Sequence, residues 1–230
     1  MAYAVYLQVD TQSYQKFLQI RTALNAKVKH KQAHDLGEVL ADVAVQIIRQ
    51  VFVALLEQQK RRIRKPEGHK IAQDSEKVIE HVLHAIQKYL PWAIALFSNE
   101  RLAPVVNYFN EMIVQQQNQI FIKYDVNDDL VAKTYATIQH VREGEKAAIP
   151  EAFWCLIEII DLGIQQLIHH PKDMLKFNFV VDKTLNGVIQ MSCHLAYKRL
   201  EGLGREVDLE SAPYYIDHFL TFLNPENTTE

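Results

Sequence analysis

His34 and Asp35 stand side by side in "KQAHDLGEVLADV", residues 31 to 43, with Glu38 and Asp42 on the turns that follow. Imidazole and carboxylate together can hold a divalent metal. Neighbouring residues on one helix point about 100° apart, so such a pair needs a further ligand from a separate element. The one histidine upstream is His30, four residues earlier in the same basic connection.

The string "HDLGE" resembles the metal-binding segment of the HD-domain phosphohydrolases, over about a dozen of 230 residues. That resemblance implies a helical, metal-dependent hydrolase in which His34 and Asp35 are ligands. Taken by themselves, the residues describe the start of a helix. Asp35 would accept free backbone N–H groups and Glu38, three residues on, would reach back, as in a capping box. Both carboxylates suit the positive helix end, and the polar "KVKHKQA" before the pair favours this reading.

Other constellations are incomplete. Asp125, Asn127 and Asp129 match the first ligand positions of a calcium loop, but its sixth position is Leu130 and its twelfth Ala136. The loop needs Gly and Glu there, so capping of a helix by Asn127 or Asp128 is the better reading. Glu80 and His84 share a helix face without the spacing of a zincin or di-iron site. Seven glycines, none suitably clustered, exclude a phosphate loop and a nucleophile elbow.

Two further sets are candidates for binding. Glu158 and Asp161 are carboxylates within the most hydrophobic stretch of the chain, and Asp182 and His194 stand on a later helix. If they face inward, these four anchor a ligand pocket; if outward, they form a wet face. Lys60, Arg61, Arg62, Arg64 and Lys65 form a basic run suited to a phosphate-bearing partner or to the negative end of a helix.

The elements that must position these residues are mostly helical. A period of two over residues 3 to 9 predicts a short strand. Helices follow over about 11–28, over 36–64 with Pro66 and Gly68 ending it, from Asp74 or Ser75 to Leu90 before Pro91 redirects the chain, from Pro104, from Asn127 or Asp128 to Gly144, over 150–169 with Pro171 as its stop, from Asp173 to Gly202 or Gly204, and over 211–223. Residues 120 to 126 alternate, so they can extend the helix from Pro104 or form a strand beside residues 3 to 9. The stretch 150–169 is apolar around most of its circumference and is the expected central helix.

At 230 residues and 48% hydrophobic composition, a single mainly α domain over 1–223 is expected. It would hold seven or eight helices, a minor two-stranded element and a disordered tail over 224–230. Cys155 and Cys193 read as reduced core thiols. No leader or membrane-length apolar run is seen, so a cytoplasmic location without membrane contact is expected. The net charge of -3 divides into +6 over residues 1 to 70 and -9 over the rest. With no complete catalytic set and no cofactor motif, the expectation is a non-enzymatic binding, adaptor or regulatory protein. Its partner would be a protein or a second copy, with nucleic acid or another polyanion as the sharper form. An HD-like hydrolase and a small-ligand sensor are the alternatives.

Overall fold

The computed structural model describes the backbone of residues 2–53 and 66–226, and the side chains of 2–53 and 76–226. The chain is mainly α with a small four-stranded antiparallel sheet. The backbone divides into two compact units, each interrupted along the chain.

One unit comprises Gln8–Ile122 and Pro171–Ser192. Helix α1, Thr11–Asn25, opens at Asp10, whose carboxylate accepts the Ser13 N–H at 2.7 Å. Helix α2, Ala33–Ile48, continues as a π-helical turn over Arg49–Val53. Gln46 and Gln50, one turn apart, clamp the chain leaving the first strand: Gln50 exchanges two 3.0 Å hydrogen bonds with the Gln8 backbone, and Gln46 accepts the Asp10 N–H at 2.9 Å.

Helix α3, Pro66–Ile94, starts eight residues before Asp74 and runs through Pro91. Pro66, read from the sequence as ending the helix from Leu36, is the first residue of α3, and residues 54–65 before it lie outside the described ones. Proline is well suited to a first turn, where its missing N–H costs nothing. Pro91 lacks the N–H that would reach the Gln87 carbonyl, and with three residues of helix beyond it little helix is left to disrupt. Its backbone presses on Gly37, where a Cβ would meet the Pro91 Cα at 2.6 Å.

Helix α4, Asn99–Met112, ends earlier than its apolar spacing suggests. Strands β2, Ile113–Gln116, and β3, Gln119–Val126, form an antiparallel hairpin with Ile113 opposite Ile122. Gln117 and Asn118 make its turn, both with positive φ, +49° and +64°. Two-residue hairpin loops of this kind match the twist of the strands they join. With β1, Tyr3–Val9, and β4, Leu223–Pro225, the sheet order is β2-β3-β1-β4. The tail expected to be disordered from residue 224 thus carries a strand, with Val5 opposite Leu223.

The other unit comprises Met1–Leu7, Lys123–His170 and Cys193–Glu230. Helix α5, Asp128–Arg142, is capped by Asn127, which accepts the Leu130 N–H at 2.8 Å. Helix α6, Ile149–Ile164, is the most apolar, and it passes through a π-helical turn, Gln165–His169, into the short α7, His170–Leu175. Pro171 was expected to stop the chain's helical course. The wider π turn before it, in which the His170 N–H reaches back to the Gln165 carbonyl, lets the helical path continue.

Helix α8, Phe179–Glu206, opens at Asn178, whose side chain accepts the Val181 N–H at 3.1 Å. Asp173 belongs to α7 and does not open α8. At the other end, Gly204 lets α8 approach the Phe153 ring of α6, where a Cβ would sit 2.9 Å from that side chain. The short α9, Ala212–Leu220, adds Ile216 and Phe219 to the core of this unit.

Candidate functional site

The basic run Lys60, Arg61, Arg62, Arg64 and Lys65 lies outside the described residues. His34 and Asp35 occupy the first turn of α2. His34 Nε2 pairs with Glu38 at 3.5 Å, both well exposed. The expected capping box does not form: Gln32 is the capping residue and makes no side-chain cap bond. Its backbone N–H is instead satisfied by Asn99 Oδ1 at 2.9 Å. Asp35, two residues into the helix, sits in the first turn as a charge facing the positive helix end. Among the described residues, the three side chains whose potential metal-ligand atoms converge are His140, Glu143 and Glu145, all exposed, and His34 and Asp35 are not among them.

The four candidate pocket residues divide. Glu158 lines a surface hollow of about 320 Å³ with Asn127, Asp129, Leu130, Lys133 and Leu162. Lys133 lies between two carboxylates, 3.0 Å from Glu151 and 3.2 Å from Glu158, and both hold its ammonium well above the ordinary lysine range. Asp161 turns toward α8 and accepts the Tyr197 hydroxyl at 2.7 Å. Burial and this carboxylate together push the Tyr197 phenol far up. Asp182, in the other unit, is held by Lys172 at 2.5 Å and Asn186 at 2.8 Å. His194 is exposed. Each of the three carboxylates is therefore engaged by a different partner.

Burial also pushes up both thiols, Cys155 beneath Lys133 and Cys193 near Asp161. Both are free and stay protonated at neutral pH; Cys155 is a core thiol as expected, whereas Cys193 is only partly buried.

A feature the sequence did not reveal lies where α3 ends and α8 begins. Ala93, Val181 and Leu185 form a buried seam, flanked by Tyr89, Phe177 and Ile189. Phe177 meets the Phe97 ring edge-on at 4.8 Å, and the Arg101 guanidinium lies 4.5 Å from the centre of Phe97. Arg101 also binds the Leu175 and Lys176 carbonyls, which fixes the turn that delivers α8. Lys176, with φ +49°, makes that turn.

The residues next in sequence to this seam are apolar and wet. Phe179 is 79% exposed and Val180 69%, at the first turn of α8. On α3 and just after it, Trp92 is 44% exposed and Leu96 53%. Trp92 leans edge-on against Tyr89 at 6.5 Å, so it borders the same seam. Large exposed apolar side chains beside a buried seam mark contact surfaces more often than catalytic ones. The nearest signal in the sequence is "FNFVVDKTL", more apolar than one buried stripe of a helix requires.

Compared with models of protein families, with curated proteins and with solved structures, the chain matches none.

Proposed function

We propose that this chain is a non-enzymatic binding protein that works by presenting the apolar residues at the α3–α8 seam to another polypeptide. The observation that carries the reading is the exposure of Phe179 and Val180 on a helix start whose next residue, Val181, is buried against Ala93 and Leu185. Covering a side chain of this size is worth about 1.5–3 kcal/mol, so two such residues can anchor a contact. The carboxylates proposed as pocket anchors are engaged by lysine, tyrosine or asparagine partners, which is the pattern of structural groups.

Photo-cross-linking tests this directly. A photoreactive residue replacing Phe179 in the intact chain, expressed in cells, should give a discrete adduct that Val180→Asp abolishes. The same residue replacing the exposed Lys198 serves as the control. Adducts no different from that control contradict the reading.

A small-ligand reading has one observation in its favour, the hollow lined by Lys133 and Glu158. A zwitterionic molecule would match its paired charges. Thermal-shift screening of such molecules against wild type and Lys133→Met checks it, since binding raises apparent stability by mass action. Shifts that persist unchanged in the variant exclude this hollow.

A further inference from the structure

We infer that the polypeptide covering the α3–α8 seam is a second copy of this chain, in a two-fold dimer. This rests on the binding reading above and names its partner. The first argument is area. Taking roughly 150–250 Å² for a fully exposed aromatic side chain and somewhat less for Leu and Val, the exposed parts of Phe179, Val180, Trp92 and Leu96 amount to roughly 450 Å² per copy. A standard interface takes about 800 Å² from each partner, of which about 65% is apolar in homodimers, or about 520 Å². The four side chains therefore supply most of the apolar area that a dimer needs, and polar neighbours supply the rim.

The second argument is self-complementarity. In a two-fold interface one patch must fit itself, so a strongly charged patch repels its copy. All four side chains here are uncharged, and Lys172 and Asp182, on the stretch that carries Phe179 and Val180, neutralise each other at 2.5 Å. The patch also has two parts on two elements, Trp92 with Leu96 and Phe179 with Val180. A two-fold axis through the seam sets the first part of one copy against the second part of the other. Each copy's Phe179, 79% exposed in the single chain, is then covered by the partner's apolar pair.

Sedimentation velocity of the full chain over a wide concentration range tests the inference, with thermal melting to check folding. Wild type and the surface control Lys198→Asp should move from 26.7 kDa toward twice that mass. Phe179→Asp with Val180→Asp should remain at 26.7 kDa with an unchanged melting temperature. If that double variant melts early, Leu96→Glu on the other side of the seam takes its place, with the same two outcomes. Wild type that stays monomeric throughout, or a dimer that these variants leave intact, overturns the inference. A monomeric chain whose position 179 still cross-links to a different polypeptide overturns the second copy alone, whereas one with no adduct overturns the binding reading too.

Discussion

Gly37 of α2 lies so close to Pro91 of α3 that a methyl group in place of its hydrogen would stand 2.6 Å from the Pro91 Cα and 3.1 Å from its carbonyl oxygen. The glycine of the "HDLGE" string is thus required by packing of two helix backbones. Alanine there improves helix propensity by about 1 kcal/mol. Overpacking against atoms that cannot rotate away costs about 1–3 kcal/mol, and the backbone contact puts this site at the upper end. Gly37→Ala should lower the unfolding free energy by about 2 kcal/mol in chemical denaturation. An unchanged midpoint contradicts the close approach.

The Tyr197 hydroxyl donates to Asp161 in a half-buried setting. Tyr197→Phe should cost about 1.5–3 kcal/mol, the net value of a hydrogen bond to a carboxylate. Burial holds the phenols of both Tyr124 and Tyr197 far above their ordinary value, with Asp161 adding to the shift at Tyr197. Their neutral forms therefore contribute stability that is complete below about pH 10 and lost as pH rises through the folded values. In an ultraviolet-monitored alkaline titration both should ionise only as the protein unfolds. Reversible early ionisation of all ten tyrosines would contradict this burial.

Asp10 caps α1 and receives hydrogen bonds from Ser13 and from Gln46. Burial opposes its ionisation, but these bonds and the Gln12 N–H outweigh it and hold the carboxyl below its ordinary range. The sign follows: its contribution is present above about pH 3.9 and is lost as pH falls through the folded value. Asp10→Ala should cost about 1 kcal/mol at neutral pH, and the cost should shrink in acid. An equal cost at all pH values contradicts the charged cap.

At the end of α5, the Gly144 N–H reaches the Val141 carbonyl and the Glu145 N–H that of His140, with Gly144 at φ +98°. This Schellman turn brings the Glu145 carboxylate to 3.1 Å from His140 Nδ1 and raises the imidazole's pKa, with a smaller effect from Glu143. The pair's contribution is complete below about pH 6.5 and fades as pH rises through the raised folded value. In an NMR titration Glu145→Gln should lower the His140 midpoint, and a midpoint that does not move removes the pairing.

Strong periodicity made α1, α5 and the start of α2 legible in the sequence, as was the Asn127 cap, because its side-chain chemistry is local; the far end of the helix expected over 36–64 lies outside the described residues. The β2–β3 hairpin was only half legible. Ile113 and Ile120 continue the apolar spacing of α4, and the turn falls on Gln117, a residue that seldom takes positive φ. Pro91 and Pro171 were read as breaks because their cost is local. Their tolerance depends on a nearby helix end in one case and a π turn in the other.

The candidate surface was not legible for a different reason. Phe179, Val180 and Val181 are alike in sequence, yet Val181 is buried and the other two are wet. That difference is set by which of them meets Ala93, a contact 88 residues away along the chain. Similarly, Asp161 and Glu158 stand out in the sequence as carboxylates in an apolar helix, but their partners Tyr197 and Lys133 come from other helices.

The central claim is that Phe179 and Trp92 are covered by another polypeptide when the protein works. Hydroxyl-radical footprinting measures this side chain by side chain, in cells and on the dilute purified chain. The account predicts that oxidation of Phe179 and Trp92 falls in cells relative to the dilute chain, while Trp154, exposed on α6, reacts alike in both. Equal oxidation of Phe179 and Trp92 in the two conditions would contradict it.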